Sequence, residues 1–564
     1  MTYPHSRLSR WNTVGAAALV LLAALLVGAC DSRKSQSTKP PPPPSATSEA
    51  TALASLESHT DAAHCRTVLQ QLDSVDGGAS RPTLSDSERT ALTSMLELSP
   101  TEAGEIGQVT FSQLDASYLE ECLLIRASMR AQKIDDRPAL DRARLGFDWV
   151  CRQIYLDNRV NWPAPPWYTL EGGSGVALSR AYCVLAAWRQ LGLDGCVVGP
   201  PALKKTASWN GDPDPRQAAF APVRACGAQI GNDLFLFDPA SGAPFASADG
   251  KSVLTLGQAR ATPDLVKGFP ADEVKTWQPF LAPALSSLSK RMEWLEQRNP
   301  GNTGVKLYVD PVAQRIKFGG AACELWNPDG DPHSATRVLG RYVLQENSTV
   351  DKRAVRDVHV LNMTPLERLP KTNLDGALAE ELARSFLAQF GALRYSASSP
   401  RDLMLHGQYK EAMSQLSDLN EAVNNASTRM LEDATLKKDF VQWAAELQRL
   451  SARAIRPDPS DPDGAQAKQN LQNFRNAARN RDIEHSFMLG NASKPLGAEI
   501  KFLMAMCVHE RAERSQAPDQ WNNAAEWWQR FLDASAEAQS PFPAREPHAR
   551  ALLARCQQLA GKPK

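Results

Sequence analysis

The sequence predicts an α+β protein: a mixed domain preceded by helices and followed by a mixed β region and a mainly helical carboxyl half. Three observations predict it. The run from Val176 to Leu191 is apolar on most sides, the mark of a core helix. Two strand-like runs, Pro222 to Ile230 and Leu234 to Phe237, follow it across Gly231-Asn232-Asp233, a hairpin signal. From Asp375 onward the chain reads as almost wholly helical, interrupted near Arg456 to Gly464. A helix, a core helix and then strands is the order of an α+β domain.

From the first residue, Met1 to Arg10 carries Arg7 and Arg10 and no acid, and an apolar run follows from Val14 to Val27. This is the pattern of a secretory signal. The run is shorter than the roughly 20 residues a spanning helix needs. Leu26-Val27-Gly28-Ala29-Cys30 resembles the lipobox of bacterial lipoproteins, which implies a signal peptide over 1–29 and a lipid on Cys30. Residues 30–50 then read as a spacer. They are polar and hold five consecutive prolines, Pro40 to Pro44, a composition that favours an extended, semi-rigid form. Several acyl chains on one Cys give stable anchoring where one chain holds only weakly.

Lys+Arg and Asp+Glu are equal at 63 each, so no positive excess points to nucleic acid. The roughly 510 residues after the spacer suffice for about three domains. Ten cysteines are present and no CxxC pair occurs, which removes zinc-ribbon and thioredoxin readings. An exported chain can form disulfides; the spacing leaves room for one or two bridges without pairing them.

Residues 51–135 read as helices. Thr51 to Leu72 has apolar residues at helical spacing up to the break at Asp76-Gly77-Gly78, Ser85 to Glu88 resembles a helix start, and Tyr118 to Met129 is apolar. Residues 136–270 hold a helix over Leu140 to Tyr155, a loop forced by Pro163, Pro165 and Pro166, the core helix, and a buried strand at Gly195 to Gly199. Residues 281–374 read as mixed β/α. Val305 to Phe318 resembles a hairpin, and Val338 to Leu344 and Val355 to Leu361 are strand candidates. Residues 375–564 read as helical. Gly407-Gln-Tyr409-Lys-Glu-Ala412 looks like the core of a tetratricopeptide repeat, but no second copy stands in register, so an ordinary helical hairpin is preferred. The three tryptophans of Trp521 to Leu532 read as packing residues.

Four pieces of the region Arg142 to Phe245 resemble the transglutaminase-like fold of the papain-like cysteine enzyme superfamily. Phe147 to Tyr155 looks like that family's first helix. Gly175 to Ala181, running on to Leu191-Gly192-Leu193, looks like its core helix. Cys196 to Gly199 looks like the following strand, and Val223 to Asp238 looks like its His and Asp strands. The resemblance implies a Cys in the first turn of the core helix, where the helix dipole favours thiolate, with a His and an Asp on neighbouring strands. Counting back from Gly192, the Cys position is Ala177. The His position falls near Arg224, and Asp238 matches the Asp. The triad therefore reads Ala, Arg, Asp. No histidine occurs between His64 and His333, and an arginine stays protonated and cannot act as general base. Asp238 is then expected to form a structural ion pair with Arg224.

There is no phosphate loop, HExxH or GxSxG. Asp329-Gly-Asp331 near His333 reads as a turn rather than a metal site, and Asp212 to Asp214 as a solvated loop, so no metal or cofactor is expected. Two functions of different class remain. One is an anchored, non-catalytic binding or scaffold protein at the cell envelope, with the helical carboxyl half as a protein-interaction surface. The other is a cysteine peptidase or acyl transferase using Cys183 or Cys226 with a distant His. A Cys sulfur and a His nitrogen within about 4 Å at a helix start would favour the second.

Overall fold

The computed structural model of the chain describes residues 49–56, 62–76, 81, 83–90, 100–157, 166–200, 223–281, 290–298, 306, 317–318, 321–322, 324–325, 393–394, 398–432, 434–455, 464–538 and 545–561. The signal, Cys30 and the proline run lie outside the described residues. So do the strand candidates at 338–344 and 355–361, Asp329 to His333 and Asp212 to Asp214, and most of the hairpin expected at 305–318. The chain divides into two compact units. One holds residues 35–355 with 405–407, the other residues 1–34, 356–404 and 408–564.

The first unit is α+β. Its opening helices are α1 (Glu49–Ala54) and α2 (Ala62–Asp76), two elements where apolar spacing predicts one. Ser55 explains the early stop: its hydroxyl donates to Ala52 O at 2.7 Å, competing with the helix ladder. The expected helix start at Ser85 is present as a capping box, in which Glu88 Oε2 accepts from Ser85 N at 2.9 Å and Ser85 Oγ from Glu88 N at 3.3 Å. After α3 (Pro100–Ile106), α4 (Gln113–Gln132) is capped the same way by Ser112 and Asp115. Asp115 also pairs with fully buried Arg291 at 2.6 Å.

The helix α5 (Ala139–Gln153) leads into a short parallel pair, β1 (Tyr155–Leu156) with β2 (Ser174–Gly175). Between them lies α6 (Pro166–Gly172), which the sequence reads only as loop; Pro166 stands at its first position, where a missing N–H costs nothing. The core helix is α7 (Ala177–Gln190), with every residue from Leu178 to Trp188 buried. Gly192 ends it at φ +71°, left-handed backbone that favours glycine.

A sheet follows with β3 (Asp194–Gly199), β4 (Ala225–Ile230), β5 (Asp233–Asp238), β6 (Ala243–Pro244), β7 (Gln278–Leu281) and β10 (Glu324–Leu325) in the order β10-β7-β3-β4-β5-β6. All neighbours are antiparallel except β10 with β7. The predicted hairpin is β4 with β5, turning at Gly231 with φ +61°. Both faces are covered. Val197, Cys226, Ala228 and Phe237 join the core built by α5 and α7. Cys196, Val198, Ala225 and Leu236 face α8 (Leu256–Ala261), α9 (Ala271–Thr276) and Trp277. Burial on both faces is why β3 reads as a continuous apolar run instead of alternating. The sheet also draws β7 from beyond Pro270, so it extends past the stretch where its sequence signal ends. Further along lie α10 (Lys290–Arg298) and the pair β8 (Lys317–Phe318) with β9 (Ala321–Ala322).

The second unit, as described, is helical: α11 (Pro400–Leu405, its last residue and the turn to Gly407 counted with the first unit), α12 (Tyr409–Glu432), α13 (Ala434–Ile455), α14 (Gly464–Asn476), α15 (Ala478–Ser515), α16 (Pro518–Ala538) and α17 (Arg545–Ala560). Gly407 turns the chain at φ +76°, and Tyr409 and Ala412 are buried at the start of α12. Trp521 and Trp528 are buried packing residues, with Trp528 edge-on to Phe502 at 5.7 Å; Trp527 is half-buried and carries Arg530 over its ring. Among the described residues, no helix is long and apolar enough to cross a membrane.

Candidate functional site: the start of the core helix

Ala177 is the first residue of α7, preceded by Val176 in extended backbone with no side-chain cap. A thiol here would gain from the helix's positive end; a methyl group gains nothing. One turn on, Arg180 is the only charged side chain inside the otherwise apolar stretch Leu178 to Trp188. It is buried and turns back across the helix start. Its Nη1 donates to Pro239 O at 2.9 Å and its Nη2 to Ile154 O at 2.5 Å. Arg180 thus ties the start of α7 to the end of α5 and to the residue after Asp238. Three positions matched from sequence alone therefore share one neighbourhood: the first helix, the start of the core helix and the end of the Asp strand.

Asp238 closes β5 and accepts from Ala240 N at 2.8 Å, forming the turn after the strand. Arg224 precedes β4 and extends its ladder by donating its N–H to Val198 O at 2.8 Å. The expected Arg224–Asp238 ion pair does not form. Arg224 Nε instead donates to Glu273 Oε1 at 2.8 Å, and its guanidinium lies over Phe269, 5.6 Å from the ring centre. Arg224 stands one residue before β4, and its guanidinium reaches the side of the sheet covered by α9, where Glu273 and Phe269 lie. Glu273 was invisible to sequence reasoning because its helix follows a stretch with no clear pattern.

The remaining thiols near this point are not activated. Cys183 is buried two turns into α7, its Sγ 3.6 Å from Pro166 O, and burial pushes its thiol well above the ordinary range. Burial does the same to Cys226 in β4. Cys151, near the end of α5, sits beside Arg180. A Cβ on Gly242 would lie 3.6 Å from the Cys151 sulfur and 3.5 Å from Arg180 Nη1. Burial still outweighs the pull of Arg180 and pushes the Cys151 thiol up to about 12. Of the eight described cysteines, seven are buried.

One Cys–His pair does exist, in the helical unit. Cys556 Sγ lies 3.3 Å from His509 Nδ1. It satisfies the distance criterion and fails the chemistry. Cys556 stands in the last turn and a half of α17, where the negative helix end disfavours thiolate. Its thiol is pushed up to about 12 by burial, and His509 Nδ1 already accepts from Trp528 Nε1 at 3.1 Å. Neither this pair nor Arg180 was picked out in the sequence. Arg180 could have been, as a lone charge in a core helix; the pair could not, because its members are 47 residues apart in the chain. Among the described residues no group of His, Cys, Asp and Glu could hold a metal ion.

No family profile, curated protein or solved structure matches the chain.

Proposed function

We propose that this chain is a lipoprotein of the bacterial cell envelope whose transglutaminase-like domain binds or scaffolds rather than catalyses. The reading rests on one observation above the others. Ala177 stands at the point where the resemblance expects the nucleophile, and the adjacent space is taken by Arg180, which bonds two main-chain carbonyls. A thiol acts only as thiolate, and its leaving group then needs a proton. Ala177 supplies no sulfur, and the guanidinium of Arg224, held by Glu273, is not a general base. The membrane would be met through the lipid on Cys30, and the helical carboxyl half would meet a protein partner; nucleic acid is not part of the reading.

Two outcomes are expected. An iodoacetamide-type probe labels no cysteine of the folded full chain faster than a free thiol, and amine incorporation into a glutamine-bearing substrate stays at the uncatalysed rate. The expected loss is large, since removing one catalytic group alone costs roughly three to six orders of magnitude. Activity that vanishes in Cys183→Ser or Cys226→Ser would instead establish the cysteine enzyme. Separately, Cys30→Ala should yield soluble or unprocessed protein. A mutant that still partitions into detergent with an acylated amino terminus removes the anchor from the reading.

A further inference from the structure

The polar cluster around His509 is independent of the candidate site. It lies wholly within the helical unit, where α15 packs against α16 and α17. His509 is fully buried. From α16, Trp528 donates its indole N–H to His509 Nδ1 at 3.1 Å, and Trp521 stands edge-on to the imidazole with centroids 5.5 Å apart. From α17, Cys556 Sγ lies 3.3 Å from the same Nδ1, and Arg555 holds Glu513 Oε1 at 2.7 Å. From α15 itself, Glu513 Oε1 lies 3.6 Å from His509 Nε2, one turn on, and buried Glu510 is next in sequence. From α12, Tyr409 carries Arg514 over its ring at 4.5 Å.

This set fixes the tautomer. An indole N–H can only donate, so Nδ1 accepts and the ring proton sits on Nε2, toward Glu513. A second proton would have to go on Nδ1. It would then point at the Trp528 N–H, donor against donor at 3.1 Å, with the weakly accepting Cys556 sulfur 3.3 Å away. Glu513 favours the imidazolium, but the same carboxylate oxygen is already engaged by Arg555 at 2.7 Å and stands 3.6 Å from Nε2, beyond hydrogen-bond distance. Burial opposes the charge throughout. The donor conflict and burial act against the charged ring, and Glu513 acts for it.

We infer that His509 is an acid-operated latch: protonation breaks its bond to Trp528 and loosens α15 from α16 and α17. The unfolded or opened form takes up the proton more readily than the packed form. Stability from this group is therefore complete above the ordinary histidine value, about 6.5, and is lost progressively as pH falls below it. The helices freed are those whose apolar faces the tryptophans cover, so acid would expose this surface.

The test is hydrogen exchange of the full chain from pH 8 to 5, read on peptides of α15, α16 and α17 and corrected for intrinsic exchange. The opened fraction should rise up to about tenfold per pH unit below about 6.5, the limit for one proton. His509→Gln keeps an acceptor for Trp528 and does not titrate; it should remove the slope. Trp528→Phe removes the conflicting donor and should flatten it. Nitrogen-labelled histidine spectra of the unaltered protein give a measurement free of any mutant: His509 should remain the neutral Nε2–H tautomer at pH 6.5. A wild-type slope of zero, a slope retained in His509→Gln, or an imidazole at least half protonated at pH 6.5 overturns the latch.

Discussion

Glu499→Ala is expected to destabilise the helical unit by about 3–5 kcal/mol, the usual result of stranding a buried charge. Glu499 on α15 is fully buried between two arginines that are equally buried. Arg394 Nε donates to its Oε1 at 2.7 Å, and Arg545, the first residue of α17, pairs with Oε2. Without the carboxylate, two buried guanidiniums lose the negative charge that bridges them. Nearby Arg401 makes matters worse: burial, with Arg394 adding to it, already pulls its pKa down, and Glu510 offsets only part of this. Arg545 retains the face of Phe502, 4.9 Å away, which is too weak to compensate. Exchange protection of α15 and α17, followed with urea, measures the loss. Replacing the three residues together by Leu and Met of similar volume should recover most of it, because a buried triad contributes little net stability while a broken one costs heavily. A Glu499→Ala protein within about 1 kcal/mol of wild type would mean that the triad is open to water.

The parts of this fold that were legible in the sequence are those whose burial is one-sided or complete along a continuous stretch. The core helix, β3, and the β4–β5 hairpin with its Gly231 turn were read within a few residues of their observed bounds. The elements that were missed are short, or depend on partners distant in the chain. The helix α6 is seven residues long and opens on a proline that reads as a breaker. The four-residue strand β7 has only Phe280 and Leu281 as large apolar residues and is defined by pairing with β3 and β10. The site follows the same division. Ala177 and Asp238 could be placed by counting from Gly192 and from the Leu-Phe-Asp-Pro run. The partner of Arg224 could not, because a cross-strand pairing with Asp238 and a pairing with Glu273 use the same residue types. Which one forms depends on where α9 packs against the sheet, and nothing along the strands encodes that.

Trp188→Ala should cost the α+β unit about 3–5 kcal/mol, and a second substitution tests why. Trp188 near the end of α7 is fully buried, donates its indole N–H to Ala143 O of α5 at 2.8 Å, and meets Phe237 of β5 edge-on at 5.2 Å. One side chain therefore joins both helices to the sheet that borders the candidate site. Its ring also occupies the space above Gly195 in β3: a Cβ there would lie 2.8 Å from Trp188 Cε3 and 3.0 Å from Leu185 Cδ2. Gly195→Ala alone must push the indole aside and should cost about 1–3 kcal/mol by overpacking. In the Trp188→Ala background the methyl group enters vacated space. The double mutant should then be more stable than the sum of the single losses by at least about 0.5 kcal/mol, the range expected for residues in contact. Denaturant melts of the four proteins, read on peptides of α5, α7 and β3, give the coupling. Strict additivity would show that Gly195 is required for its backbone rather than for the indole packed against it.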